Sequence, residues 1–365
     1  MSFMYKKPQQ MRRPHARPTQ TREPDPRNED EDPKMTAAMK ALLCEDPGKL
    51  AIVERARPVA QAGHVRIKIE VIGICGTDYH IYGGNQPFLA YPRVMGHELS
   101  GRALDDSADG RIKAGDLVVV NPYLACGTCR ACEIGKPNCC SNIAVLGVHT
   151  DGGMCEEILV PQGNLYPATG LTPQAAAMVE FLAIGAHGVR RARLEAGSTA
   201  LIVGAGPIGV GAALFAQIAG AAVTLRDTSA DRLALAQKIL PQAKVELVSE
   251  AGDAVFDTLF DATGNINAMN AGLNFLAHGG SYVLLSVVKG DLSFADPEFH
   301  KRETTLIASR NALKVDFEHV MDCMAKGLVP VDSIGTHRTT MEGAVTDLPL
   351  WAADRGTVVK ALIEM

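Results

Sequence analysis

Thr199-Ala200-Leu201-Ile202-Val203-Gly204-Ala205-Gly206-Pro207-Ile208-Gly209 decides the fold. Its first five residues read as a buried strand, and the Ala-rich run from Gly209 to Ala219 reads as a helix. A lone Gly-x-Gly-x-x-Gly is weak. Between a strand and a helix, with an acid ending the next strand, it becomes a dinucleotide fingerprint. That next strand, Ala222 to Arg226, ends at Asp227, eighteen residues beyond Gly209. Gly204, Gly206, Pro207, Ile208 and Gly209 are therefore the expected pyrophosphate cradle, with the helix N-terminus facing the phosphates. Asp227 is expected to bind the adenosine ribose and select NAD over NADP. Arg226 beside it keeps open a preference for a 2′-phosphate. Hydropathy alone would read Thr199–Leu225 as a membrane span, but its glycines, Pro207 and the change from strand to helix pattern argue against one.

Working outward, the α/β alternation continues. Asp231–Leu240 predicts a helix, Val245 a short strand, Thr258–Asp261 a strand, Asn265–Ala277 a helix and Tyr282–Val287 a strand. Too few residues separate Val245 from Thr258 for a full crossover helix. Thr304–Ser309 is expected to begin a β/α portion that returns to the first domain. Upstream the pattern is β: Val65–Val71 alternates apolar and charged residues, and Gly101–Val120 holds two strands around a polar turn. Short strands with Gly/Asp turns point to a compact β-barrel. Glu157–Pro161 is a further strand. Thr172-Pro173 then opens a helix, with Thr as cap and Pro at its first position. Glu180 lies on its apolar face, where a carboxylate needs a proton, a cation or a metal. His187, two turns on, reads as a core histidine.

The chemistry concentrates between Ile74 and Glu98, a strand–loop–strand excursion from the barrel rim that carries Cys75, His97 and Glu98. These are three good zinc ligands, and Thr77 and His80 follow Cys75 closely enough to pass a proton. Together they fit an open catalytic site rather than a closed structural one. The plainer alternative is a buried thiol with a satisfied histidine. Cys126, Cys129, Cys132 and Cys140 form a second cluster whose spacing fits a tetrahedral all-cysteine zinc site, with Cys139 an alternative fourth ligand. The flanks lack the basic, aromatic surface of a nucleic-acid zinc ribbon.

Composition is that of a globular protein, with 47% hydrophobic and 21% charged residues. A net charge of −5 gives no reason to expect nucleic acid or an anionic membrane as partner. Nine cysteines, mostly clustered, point to metal in a reducing compartment, and no secretory signal opens the chain, so a cytoplasmic location is expected. Residues 1–34, rich in Pro, Arg and acids, cannot bury a core and are expected to be disordered.

From Met35 to Met365 the chain resembles the zinc-dependent medium-chain alcohol and polyol dehydrogenases. The resemblance is carried, in order, by Gly73-Ile74-Cys75-Gly76-Thr77-Asp78, Gly96-His97-Glu98, the four-cysteine run, Gly152-Gly153, Val179-Glu180 and Gly204–Gly209. Glu180, where the classical alcohol dehydrogenases carry a Cys ligand, places it nearer the sorbitol and threonine dehydrogenase branch. Gly84–Phe88, Tyr91–Val94, Gly147–Asp151, Asp296–Lys301 and Ser309-Arg310-Asn311 are similar to the family's bacterial hexonate oxidoreductases. It departs from the family in Phe181, for the usual proline, in Ser286, where glycine is common, and in the short crossover.

The resemblance implies an α/β fold of two domains. These are a GroES-like β-barrel catalytic domain at 35–183 and 304–365, with its zinc lobe at 124–142, and a Rossmann doubly wound parallel-sheet domain at 184–303. It implies two zinc ions per chain. The catalytic ion would be held by Cys75, His97 and Glu180, with Glu98 either ligating or standing behind the ligands, and the structural ion by the four cysteines. Arg232, Thr263, Ser286 and Arg310 would join the NAD site. A proton would leave through Thr77, the cofactor ribose and His80. The implied reaction oxidises the C5 hydroxyl of a hexonate or another secondary alcohol of a sugar acid or polyol. Arg310 is the candidate cation for a substrate carboxylate, or equally for a cofactor phosphate, and His149 a weaker one. Relatives of this kind are dimers or tetramers. The competing readings are a threonine or sorbitol dehydrogenase and a redox sensor that binds NAD and zinc without turnover.

Overall fold

The computed structural model describes residues 38–86, 89–354 and 356–365. The extension at 1–34 lies outside the described residues. Strands β1 (Ala38–Asp46) and β2 (Lys49–Ala56) form a hairpin, and β3 (His64–Ile74) is the long strand that the alternation at Val65–Val71 foretells. After β3 come helix α1 (Gly76–Tyr82), β4 (Arg93–Val94), β5 (Glu98–Ala103) and β6 (Leu117–Val120). The excursion between Cys75 and Glu98 is therefore not a plain loop. Asp78, at the third position of α1, accepts the Cys75 N–H and closes a capping box that nucleates a helix too short for periodicity to reveal.

The zinc lobe follows, with a small ladder of β7 (Tyr123–Leu124) on β8 (Ala144–Val145) and the four-residue helix α2 (Arg130–Glu133). β9 (Glu157–Pro161) and β10 (Leu165–Pro167) complete this half. The expected helix from Thr172 forms as two: α3 (Pro173–Ala177), capped by the Thr172 hydroxyl, and α4 (Val179–Ala192), which meet at Met178.

The second half is a six-stranded, all-parallel sheet. Its members are β11 (Thr199–Val203), β12 (Ala222–Asp227), β13 (Lys244–Leu247), β14 (Phe256–Asp261), β15 (Leu276–Leu284) and β16 (Thr305–Ala308), in the order β13-β12-β11-β14-β15-β16. That is the doubly wound order, with the reversal beside β11. Between strands run α5 (Pro207–Ile218), α6 (Ala230–Ile239), α7 (Ile266–Ala271) and α8 (Asp296–Lys301), and the short crossover before β14 is a single 3-10 turn at Val248–Glu250.

Three expectations change here. The helix foreseen to Ala277 ends at Ala271, and β15 starts at Leu276. Gly272, whose added Cβ would lie 2.5 Å from the Tyr282 hydroxyl, opens the 3-10 helix Gly272–Phe275 that follows α7. The segment from Thr304 does not return directly to the first domain: β16 pairs in parallel register with β15, Thr305 opposite Ser281. The 183/184 boundary also falls inside α4, which is one continuous helix.

Helices α9 (Lys314–Ala325), α10 (Val331–Ile334) and α11 (Ala344–Ala353) alternate with β17 (Gly335–Thr340) and β18 (Lys360–Glu364). It is β17 and β18 that rejoin the first half, in a sheet ordered β10-β6-β5-β3-β18-β17. One side of β3 pairs with β5, and the other pairs with β9 along its first half and β18 along its second. The ladder path leaves β10 and β17 unjoined, so the barrel is partly open. Among the described residues no helix is long and apolar enough to cross a membrane.

Candidate active site

Cys75 is the residue on which β3 hands over to α1, and His97 and Glu98 stand where β5 begins. Gly73 and Glu98 are opposite each other in the β3–β5 register. A Cβ on Gly73 would come within 2.2 Å of Glu98 Oε2, so only glycine lets the carboxylate pass over β3. Asp78, wholly buried, ties the two arms together by accepting the Cys75 N–H at 2.8 Å and the Gly96 N–H at 3.3 Å. One ligand atom from each of Cys75, His97 and Glu98 lies within 4.8 Å of the other two. Burial opposes charge on His97, but the Cys75 and Asp78 charges, followed by that of Glu180, hold its pKa well above the usual histidine value.

Glu180, on the first turn of α4, is 2% exposed. Its Oε1 accepts a hydrogen bond from the Tyr123 hydroxyl, and its Oε2 is buried without a partner among the described residues. Burial pushes its carboxyl up to about 7, against the pull of His97. Glu180 falls outside the group of three that share the 4.8 Å limit. Thr77 and His80 are three residues apart on α1, hence on one face, and His80 is exposed.

Glu98 has a partner that sequence reasoning missed. Lys360, the first residue of β18 and 1% exposed, places Nζ 2.7 and 2.6 Å from the two carboxylate oxygens and 3.2 Å from the Ile74 carbonyl. The same ammonium stands 4.1 Å from the centre of the Phe181 ring, which gives that departure from the family pattern a cation–π role. A carboxylate chelated by an ammonium is a weaker competitor for a dication, although Glu98 is the carboxylate that shares the 4.8 Å group with Cys75 and His97. Nothing in the sequence pairs residue 360 with residue 98. Asp78 and Tyr123 were likewise overlooked, and only the Asp in Gly73–Asp78 carried a signal.

The second cluster is also assembled. The thiols of Cys126, Cys129, Cys132 and Cys140 all lie within 4.8 Å of one another and none is in a disulfide, whereas Cys139 stands outside the group. Backbone hydrogen bonds from Cys132 and Ser141 draw Cys129 down to about 5, as suits a thiolate. Four converging thiols and no bridge among them fit a soft dication. At the first cluster the fit rests on the converging donors of Cys75, His97 and Glu98 and on a buried orphan, Glu180 Oε2, which a cation would satisfy, while His97 Nδ1 faces Asp78 at 3.9 Å.

The dinucleotide cradle is equally specific. Gly204 has φ +103°, and a Cβ on Gly209 would meet the Gly204 carbonyl at 1.7 Å, so both must be glycine. A Cβ on Gly206 meets nothing within 4 Å, which leaves open space before the N-terminus of α5 for a phosphate, next to Pro207 and Ile208. Asp227 accepts from the Ala205 and Ser229 amides at 2.7 and 2.8 Å, and Arg232 sits 3.9 Å away at the rim. Arg226 points the other way, pairs with Glu246 at 2.6 Å and faces the Phe256 and Phe275 rings. It is not aimed at a ribose phosphate. Thr263 and Ser286, after β14 and β15, both donate to Asp261 Oδ1.

Arg310, after β16, is exposed, with no carboxylate in ion-pair range among the described residues. His149 lies near enough that burial, then Arg310 and Arg93, hold its pKa below the usual histidine value. Its Nδ1 accepts the Val145 N–H at 3.1 Å. His187 is buried among Asn138, Arg190 and Asp316, a core histidine with a polar network.

Residues 61–170 match the family model of the alcohol dehydrogenase GroES-like domain, and residues 207–326 that of the zinc-binding dehydrogenases. The L-galactonate-5-dehydrogenase of Escherichia coli K12 is 45% identical over 314 residues, 83% of this chain and 92% of that protein. The starvation-sensing protein RspB of the same strain is 33% identical, over 89% of this chain and 99% of its own. Among solved structures, an E. coli CFT073 alcohol dehydrogenase (rspB) complexed with NADH has a TM-score of 0.84 at 29% identity, covering 90% of this chain and 99% of that one. A zinc-binding dehydrogenase of Sinorhizobium meliloti 1021 bound to NADP has a TM-score of 0.81 at 27% identity, covering 90% and 100%.

Proposed function

The chain belongs to the zinc-binding dehydrogenases that carry an alcohol dehydrogenase GroES-like domain, and on that premise we propose that it oxidises a secondary hydroxyl of a sugar acid, L-galactonate at C5 in the first instance, and passes the hydride to NAD. The observation that carries the reading is the convergence of Cys75, His97 and Glu98 on one point, with the unpartnered Glu180 oxygen close enough for its charge to be felt at His97. When bound, zinc supplies Lewis acidity toward the alcohol and the nicotinamide accepts the hydride.

The chain's own residues do the rest. Cys75, His97 and Glu180 would hold the ion, and the Tyr123 hydroxyl fixes which Glu180 oxygen is free to do so. Lys360 holds Glu98 behind them. The Thr77 hydroxyl relays the alcohol proton, accepting it as it passes its own on toward His80, which is exposed on the same face of α1 and returns a proton to water. Asp227, with its carboxylate fixed by two amides, receives the ribose hydroxyls.

A sugar acid also needs a cation for its carboxylate. Arg310 supplies it. His149, held toward its neutral form by burial and then by Arg310 and Arg93, serves as a hydrogen-bond donor rather than as a second charge. A relative at 45% identity that acts on L-galactonate supports the same substrate.

The test is a panel of L-galactonate, sorbitol and L-threonine with NAD, run on the wild type and on Cys75→Ser. Turnover should be fastest on L-galactonate and vanish in the variant while NADH still binds. Turnover of threonine alone would replace the substrate, and NADH binding with no turnover on any alcohol would favour a redox sensor.

A further inference from the structure

The cysteine lobe reaches beyond its own ligands. Asn138, 4% exposed, lies on the 3-10 turn Pro137–Cys139 between Cys132 and Cys140. Its Nδ2 donates to the Arg310 carbonyl at 2.9 Å and lies 3.3 Å from His187 Nε2, while the main-chain carbonyl of Asn138 accepts from Asn311 Nδ2 at 3.2 Å. Its Oδ1 has no partner among the described residues, so the amide is oriented to donate. His187 is fixed in turn. Nδ1 lies 2.7 Å from Asp316, and the pairing assigns the proton to Nδ1 and the lone pair to Nε2, where the Asn138 amide meets it. Asp316 also accepts from Arg190 at 2.6 and 3.0 Å and from the Leu313 amide at 2.8 Å. One buried side chain of the lobe thus touches α4, the helix that begins beside Glu180, and the turn that carries Arg310.

That turn needs holding. Asn311 has φ +53°, a left-handed conformation uncommon outside glycine, and its side chain is tied back to Asn138. Arg310 itself is exposed and makes no ion pair among the described residues, so its guanidinium would lose much freedom on meeting a ligand. Anchoring its backbone removes part of that loss in advance.

We propose that Asn138 is a positioning residue: it fixes the Arg310–Asn311 turn from the cysteine lobe, so that the Arg310 guanidinium is presented beside His149 to an anionic group of a bound ligand. The group is a cofactor phosphate or a substrate carboxylate, and the second choice rests on the sugar-acid reading above. The lobe then tunes ligand affinity as well as stabilising the fold.

Asn138→Asp keeps the shape but cannot donate to the Arg310 carbonyl or to His187. Relative to wild type, with zinc content and melting temperature as controls, it should weaken an affinity by roughly five- to tenfold and change kcat by less than about twofold. A raised NADH Kd identifies the phosphate. A raised KM for L-galactonate with that for sorbitol unmoved identifies the carboxylate. Arg310→Ala should show the same loss, and Asn138→Asp combined with Arg310→Ala should be no worse than Arg310→Ala alone. Additive effects, or a loss of kcat or melting temperature with both affinities unchanged, would overturn the proposal. If the wild type does not oxidise L-galactonate, the substrate reading falls and the NADH measurements decide this one alone.

Discussion

At the scale of single residues, the Lys360–Glu98 pair is the sharpest commitment this chain makes. Both side chains are essentially unexposed, at 1% and 0%, so each charge depends on the other for its solvation. Removing one partner leaves the other ionised and dry, a change that costs about 3–5 kcal/mol in comparable buried pairs. Lys360→Met is therefore expected to lower the melting temperature sharply and to free Glu98 for the ion. The same variant should alter the metal's spectrum after cobalt substitution, because an extra oxygen would enter its surroundings. A cobalt spectrum and a melting temperature both unchanged would mean the pair is ornamental.

Elements show what the sequence could and could not reveal. The pattern Gly204–Gly209 and the cysteine run were legible because their chemistry lies in spacing along a single stretch, and the structure folds each stretch into one feature. Lys360 with Glu98, Tyr123 with Glu180 and Asn138 with Arg310 were not, since the partners are 262, 57 and 172 residues apart and no periodicity links them. The short helix α1 escaped notice because its seven residues are set by one cap rather than by an apolar stripe.

Two elements invite direct tests. On β12, alternation turns Arg226 toward Phe256 and leaves Asp227 at the cradle, so Asp227→Ala should reduce the preference for NAD over NADP in paired kinetic assays. An unchanged ratio would place the ribose elsewhere. In the lobe, Cys132→Ser should remove one zinc ion and lower the melting temperature, whereas Cys139→Ser, outside the thiol cluster, should do neither. Equal losses would show that the fourth ligand is Cys139.

For the whole molecule, the question is whether the barrel and the parallel sheet unfold as one. A single apolar cluster joins Val71, Val119 and Tyr166 of the first half to α4, to Phe317 of α9, and to Ile202 and Val283 of the parallel sheet. The edge-on contact of Tyr166 with Phe317, at 5.3 Å between ring centres, lies on that seam. Two halves that share a core cannot expose one of them without stripping the other. NADH binding at the cradle should then stabilise both, by about 2.7 kcal/mol at a hundred times its Kd. Calorimetry of the zinc-loaded protein is expected to show one cooperative transition that moves as a unit to higher temperature with NADH. Two transitions, of which NADH moves only the one belonging to the parallel sheet, would show that the shared cluster does not couple the halves, and that the substrate half stands independently of the cofactor half it serves.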